Sequence, residues 1–516
     1  MSRRKNVPDL RLLAPVLAGT AGARLGLNLP GAAPYVLAGA AALVGIGCLC
    51  VPGRRPGAVV LLPVGAALLV GAVLTAAAAL RADAVRRGPA ATLAAAGARV
   101  RVDAEVAGDP KPVKSLILLP VRIEELEADT DHDDTSAGPA GPRAYRLRDR
   151  ATVLAHVSSP AAAAAWTGLL PSMHVRLTGR LVPPRDTGSG DAATLLVNQP
   201  PQVLGGPDLL QRIAGALRAD LRRAVAGLPA EPAGVLPALT LGDTSAVPPQ
   251  TTLDLKTAGL SFLTVVSGEN LVFISAAMLP LAKRMGLRAR ALAVFGALVA
   301  LGFTALARPG PPMVRATVTA LLASTALATG RRFRGLTATA GAALILLLVD
   351  PWLADAYGFI LSVAATAGLL ITAPPWRDRL ISRRVPIMIA TAAAFTAAAE
   401  LYCEPLLVTF TGRLPLLSVP ANVLAVPAAP PATVLGAAAM AAEALWPPAG
   451  HAAAWLAQWP ARWICLVGHI TARIPGAAVP WPSGVLGCLA LLSAYGCGAK
   501  LCRSMQPKGA FGDLNE

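Results

Sequence analysis

The sequence predicts a polytopic α-helical membrane protein of about ten to twelve spans, with one small β-barrel domain inserted outside the bilayer. Three observations carry that expectation. Of 516 residues, 54% are hydrophobic and only 15% charged, and the mean hydropathy is +0.57, whereas a soluble chain normally carries about 25% charged residues. Apolar windows near the roughly 20 residues needed to cross about 30 Å of hydrocarbon recur through the chain. Between the third and fourth of these windows the pattern changes to strict alternation, the period of a strand.

The windows cover 12–29, 33–51, 58–80, 262–282, 291–307, 313–329, 336–349, 357–373 and 385–410, with less distinct ones at 416–446, 452–474 and 485–501. MSRRK before the first window resembles the start of a signal peptide, but no small-residue cleavage site leads into a soluble domain and two more windows follow directly. The first window therefore reads as a retained helix.

Basic residues orient the bundle, because Lys and Arg collect in cytoplasmic loops. With MSRRK inside, three spans place Arg81 onward outside, and the window from Phe262 re-enters. The following loops then alternate: KRMGLRAR, RRFR and PPWRDRLISRR inside carry four, three and four basic residues, while RPGPP and DPWLADAY outside carry one and none. Both termini are expected in the cytoplasm. Much of the formal charge of +17 is accounted for by this loop bias, so it does not by itself indicate a nucleic-acid partner.

The inserted domain alternates in ARVRVDAEV (98–106), YRLRDRATVLAHV (145–157) and MHVRLTGRLV (173–182), with TLLV (194–197) as a short further strand. It reads as a small antiparallel barrel or sandwich. The segment 124–142 is acidic and rich in Asp, Gly and Pro, which predicts a flexible loop. His132 among Asp131, Asp133 and Asp134 lacks the spaced partners of a metal site, so a solvated acidic loop is expected and no cofactor is implied. Arg99, Arg101, Arg146, Arg148, Arg176 and Arg180, with Arg150 and Arg185, stud the strands at alternating positions. Such a face suits a phosphate backbone, as in oligonucleotide-binding barrels, and equally suits the wet side of any sheet. Tyr145 and Trp166 are the only aromatic candidates for base stacking. All seven cysteines lie in or beside apolar windows, and none suggests a disulfide framework or a paired metal motif.

One stretch of the fourth window raises a separate question. LTVVSGENLVF (263–273) is apolar on both flanks yet holds Ser267, Gly268, Glu269 and Asn270 in its middle. A charge at mid-bilayer costs about 2.5–3.5 kcal/mol on the lenient insertion scale, so Glu269 is expected to face protein or water. On a continuous helix Thr264, Ser267 and Asn270 share a stripe, while Glu269 lies about 160° from Ser267. Glycine weakens a helix by about 1 kcal/mol, and a break at Ser267-Gly268 beside a watery path reconciles the two directions. A Ser/Gly packing contact with Glu269 paired to a neighbour is the open alternative. Arg315, Glu400, Glu404 and Asn422 interrupt other windows and are further candidates for the path. Arg315 sits near its helix end, so snorkelling outward is as compatible with its position. Asp243 and Asp350 read as turn or cap residues.

LPALTLGDTSAVP (236–248), TAGLSFLTVVSGENLVFI (257–274), PPMVRATVTALLA (311–323), ATGRRFR (328–334), DPWLADAYGFILSVAATAGLL (350–370) and RLPLLSVPANVLAVPAAPPATVLG (413–436) resemble the competence region of ComEC-type DNA-uptake proteins. Three early spans followed by an external oligonucleotide-binding-type barrel are similar to that family's arrangement as well. The resemblance implies N-terminal helices over 1–96, an extracytoplasmic barrel over 97–206, an amphipathic juxtamembrane segment over 207–258, a channel domain over 259–505 and a cytoplasmic tail over 506–516. It implies a channel in the cytoplasmic membrane of a bacterium that passes transforming DNA as a single strand.

The chain departs from the family pattern at Phe262, Val265 and Glu269, around the Ser-Gly motif. Many members also carry a metallo-β-lactamase-like domain. None of the five histidines here has HxHxDH spacing, so a form without that domain is expected. The nuclease, a DNA receptor and an ATP-driven motor would then be separate partners, and a homo-oligomer stays open. No Walker loop is present.

An intramembrane serine hydrolase built on Ser267 would need a base within hydrogen-bond reach and a GxSxG elbow; the elbow is absent, and no enzyme activity is expected. A secondary transporter for a small solute or ion accounts for the intramembrane carboxylates and leaves the barrel unexplained. The basic-loop count generates a topology prediction. A cysteine introduced at Ser158 should react with an impermeant thiol reagent in intact cells, while one near Arg332 should stay unlabelled; the reverse pattern would refute the orientation.

Overall fold

A computed structural model of the chain describes residues 12–50, 58–113, 116–128, 144–157, 159–186, 188–264, 267–308, 310–331 and 335–504. His132 and its neighbouring aspartates, most of the acidic insertion, Ser158, Val265, Arg332, the MSRRK segment and the 506–516 tail lie outside the described residues. The chain forms two compact units, one from residues 1–224, 271–360 and 440–450, the other from 225–270, 361–439 and 451–516.

In the first unit, helix Leu13–Asn28 packs along helix Ala58–Arg86, with Ala33–Leu49 beside the latter. The contact depends on small residues: a Cβ on Gly22 or Gly26 would run into the carbonyl oxygens of Gly71 and Thr75. Close backbone approach of this kind replaces the hydrophobic driving force that lipid removes.

The barrel is built from five strands, Arg99–Val106, Leu116–Ala128, Arg150–His156, His174–Val182 and Ala193–Val197. Around the barrel the order is first, second, third, fifth, fourth, and the fourth pairs back onto the first to close it. All these pairings are antiparallel except that of the third with the fifth, which is parallel. The connection from third to fourth carries the short helix Pro160–Thr167, capped by the Ser159 hydroxyl. Alternate residues point inward, so Val100, Val102, Leu119, Val121, Val153, Leu177, Leu181 and Leu195 fill the interior with Trp166 over one end.

Three sequence expectations are corrected here. The purely antiparallel pairing is replaced by one parallel pair. The single alternating run 145–157 is two strands, Ala144–Arg146 and Arg150–His156. Residues 124–128, expected in the flexible loop, belong to the second strand, whose alternation slips where a bulge offsets Asp103/Ala104 against Glu125/Ile123. A bulge moves the inward set by one position and hides the strand from a period-two reading.

A short connector, Val349 to Asp355, fastens the barrel to the helices within this unit. Arg150 of the barrel meets Asp350 at 2.8 Å, and Arg24 of the first helix meets Asp355 at 2.8 Å. Arg81 donates to the Val349 carbonyl. The Trp352 ring lies against Gly190, whose φ of +74° and closeness to the indole both exclude a side chain.

In the second unit helix Ile387–Thr411 packs against Ser418–Ala425 and Gly484–Ser504 and meets a two-stranded ribbon of Arg413–Pro415 with Ala478–Pro480; Ala230–Leu241 and Pro249–Thr257 belong to the same unit. Across the described residues, four helices are long and apolar enough to cross a membrane: Leu61–Arg86, Ala289–Ala307, Ile387–Thr411 and Ser418–Leu445. A fifth span would join Tyr357–Ile371 to Ala373–Ser382 across a 41° bend. Ala33–Leu49, Gly335–Val349 and Gly484–Cys497 are apolar but shorter. The window 262–282 is not one helix; a 3₁₀ turn over Ser261–Thr264 precedes helix Gly268–Arg284. The window 452–474 lies in helix Pro447–Arg473, where Gln458, Arg462, His469 and Arg473 dilute the apolar run.

Leu119 is fully buried in the barrel interior. Leu119→Ala should lower the opening free energy of the barrel strands by about 2–5 kcal/mol, read by hydrogen exchange of the full-length protein. Unchanged protection across residues 99–197 would contradict this core.

Candidate functional site

The Ser-Gly-Glu-Asn sequence is the start of a helix. The Ser267 hydroxyl oxygen accepts the Glu269 backbone N–H at 3.2 Å and the Ser267 carbonyl accepts that of Asn270 at 3.2 Å. Serine at the cap and glutamate in the first turn both suit the positive end of a helix dipole. Glu269 is exposed and Gly268 partly so, whereas Asn270 turns into the protein and is 6% exposed. The cap signature S-x-E was present in the sequence, where the expected membrane depth of the segment obscured it.

Asn270 meets the end of another helix. Helix Ala230–Leu241 terminates at Gly242, in the left-handed conformation, which leaves carbonyls of its last turn without intrahelical partners. The Leu239 carbonyl accepts the Asn270 side-chain amide at 2.9 Å and the Thr433 hydroxyl at 3.3 Å. A helix beginning and a helix ending are thus joined through one backbone oxygen.

Glu400 and Asn422, far apart in sequence, are brought together. Glu400, on helix Ile387–Thr411, accepts the Asn422 amide at 3.0 Å through one oxygen and the Ser418 hydroxyl at 2.9 Å through the other. Ser418 and Asn422 lie on helix Ser418–Ala425, so the carboxylate sits near a helix N-terminus, where negative charge is favoured. Ser418 was not singled out from sequence; its spacing of four from Asn422 on one helix face was the available signal. No hydrogen bond or ion pair among the described residues links Glu400 and Asn422 to the 267–270 turn. Arg315 lies in the first unit on helix Pro311–Ala328 and is 6% exposed, buried rather than reaching outward.

The barrel arginines form a charge lattice more than a bare basic face. Arg176 makes two 2.7 Å hydrogen bonds to Asp103, which raise its guanidinium above the ordinary arginine value. Arg101 pairs with Glu127 at 3.7 Å, Arg146 with Glu125 at 3.7 Å and Arg122 with Glu105 at 3.4 Å. The basic end is where the first and fourth strands place Arg99 opposite Arg180, whose Nε donates to the Gly97 carbonyl at 2.9 Å. Arg148 is exposed.

A further cluster joins three helices of the second unit. His469 is 2.6 Å from Asp254 through Nδ1 and 2.9 Å from Glu231 through Nε2. With both ring nitrogens facing carboxylates, His469 is placed as a doubly donating bridge and not as a base for Ser267, whose oxygen is engaged in capping. The carboxylates flank opposite edges of the ring, and no group of three metal-ligating side chains occurs among the described residues.

A family model described as Competence protein matches residues 239–505. No curated protein and no solved structure matches the chain.

The shared acceptor at Leu239 generates a non-additivity prediction. Asn270→Ala and Thr433→Val should each be mild alone, since one donor remains. The double variant should exceed their sum by about 0.5–3 kcal/mol, because a buried carbonyl is then orphaned. Denaturant unfolding in detergent measures this, and strict additivity would refute the shared role.

Proposed function

Because the chain belongs to the Competence protein family, the ComEC/Rec2 family, with its role in DNA uptake, we propose that it is a channel in the bacterial cytoplasmic membrane through which transforming DNA passes as a single strand. The observation that carries this reading is the match over residues 239–505, the region that contains both the capped helix start at Ser267-Gly268 and the Glu400–Asn422 pair. Helices that begin or end within an apolar region leave backbone groups free to line a hydrated path. In this reading Ser267, Gly268, Glu269, Asn270, Arg315, Glu400 and Asn422 line or support the path, within a domain over 259–505 whose shorter and bent helices complete about ten to twelve spans.

The barrel, over 97–206, is of the oligonucleotide-binding type in this proposal and stands outside the membrane. Its strand order, its parallel third and fifth strands and the helix between third and fourth support that assignment. DNA contacts are concentrated at Arg99, Arg180 and Arg148, since Arg101, Arg146 and Arg176 are engaged by carboxylates. A separate DNA receptor, nuclease and ATP-driven motor would act with it. The second reading, a secondary transporter, is favoured by one specific observation, the half-buried Glu400 carboxylate held by Ser418 and Asn422.

Labelled-DNA uptake decides between them. Gly268→Leu places bulk at the helix start and should abolish uptake while leaving the protein inserted. Glu269→Gln should keep or increase DNA uptake, because it removes negative charge near phosphates. A solute-uptake defect in Glu269→Gln, with normal DNA uptake in both variants, would overturn the channel.

A further inference from the structure

Helix Ile387–Thr411 presents a second carboxylate one turn after Glu400. Glu404, at i+4, lies on the same helix face, as helical spacing requires. It is 7% exposed, and its Oε2 has no hydrogen-bond partner among the described residues. Both glutamates line a cavity of about 280 Å³ in the second unit. The walls are otherwise mainly apolar, with Leu401, Leu416, Val419 and Leu491 among them, and Tyr495 enters from helix Gly484–Ser504. Asn422, 1% exposed, lies behind the cavity lining; its amide nitrogen is committed to Glu400 and its Oδ1, buried beside that carboxylate, has no donor among the described residues.

The two carboxylates are not equivalent. Glu400 accepts from Ser418 and Asn422 and sits near a helix N-terminus, so its oxygens have donors within the protein. Glu404 has no such donors. Two ionised carboxylates one helical turn apart in an apolar cavity repel, and burying the second charge without a partner is costly. The site is therefore short of one positive charge. Among the described residues no lysine or arginine lines the cavity, which leaves solution as the source of the charge.

We propose that Glu404, with Glu400 and the Asn422 carbonyl oxygen, forms a binding site for one monovalent cation, either a proton held on Glu404 or an alkali-metal ion such as sodium held among the oxygens. When a proton occupies the site, the Glu404 oxygen becomes a donor. When sodium occupies it, Glu404 ionises, its proton leaves to solvent and the ion is met by carboxylate and amide oxygens, hard ligands that suit it. Either occupant removes the uncompensated charge at Glu404. The site does not depend on DNA passing through the chain, and it supplies a coupling ion under either functional reading.

The test is infrared difference spectroscopy on the full-length protein in lipid vesicles, following the protonated-carboxyl stretch. One arm raises pH at constant ionic strength without sodium; the other adds sodium chloride against N-methylglucamine chloride at fixed pH. A carboxyl band lost only on raising pH, and missing in Glu404→Gln, identifies a proton site. A band lost on adding sodium at constant pH, and missing in Glu404→Gln, identifies a sodium site. Wild-type protein lacking any band that responds to either arm would overturn the proposal without recourse to a variant. A responsive band that persists in folded Glu404→Gln would overturn it as well. DNA uptake measured in the same Glu404→Gln strain separates this proposal from the channel: a lost cation response with normal uptake leaves the channel standing.

Discussion

Most polar groups that this chain withdraws from water find a partner within the protein, Glu404 Oε2 and Asn422 Oδ1 being among the exceptions, and the internal architecture follows from how those partners are supplied. In lipid an unsatisfied backbone or side-chain group costs several kcal/mol. Helix Ala230–Leu241 stops inside the second unit, and the Leu239 oxygen left at its end is taken by Asn270 and Thr433. Helix Gly268–Arg284 starts there, and Ser267 supplies the cap. Glu400 is held by two side chains from the first turns of another helix. Interrupted helices are thus possible only because neighbouring interruptions face one another in donor–acceptor pairs.

The first unit meets the same constraint with charge pairs. The connector Val349 to Asp355 receives Arg24, Arg81 and Arg150 from three separate segments. On the barrel, carboxylates at Asp103, Glu105, Glu125 and Glu127 pair with Arg176, Arg122, Arg146 and Arg101. Exposed pairs of this kind contribute little individually. Their effect is on the field: they leave net positive potential at the Arg99–Arg180 end, where like charges face each other across adjacent strands.

Much of this was legible in the sequence, and the failures have physical causes. Composition and the change of period located the helices and the barrel, because both signals come from one-sided burial. The second strand escaped notice because a bulge shifts its inward set and because its acidic end, Glu124 to Glu127, reads like a loop. Ser267 and Glu269 read as a polar intrusion, since capping and pore lining use the same residue types. The partnership of Glu400 with Ser418 and Asn422 depends on a turn through Gly412 and the ribbon at Arg413–Pro415, a tertiary path that no local pattern encodes. The arginine spacing is visible in the sequence, but the carboxylates that pair with it come from neighbouring strands.

The barrel's seam has a consequence for how the protein is made. The first strand is closed by the fourth, and the core is drawn from residues 90–197 alone, so the ribosome delivers a complete barrel before it reaches Asp350 and Trp352, the clasp that fastens it. At about 5–20 residues per second the interval is on the order of ten seconds. Through that interval the nascent domain is joined to helix Ala58–Arg86 and the two helices before it, while the connector Val349 to Asp355 is still to be made. An outward lattice of arginines and carboxylates is the mixed-charge surface that such an unclasped intermediate needs to stay apart from its neighbours.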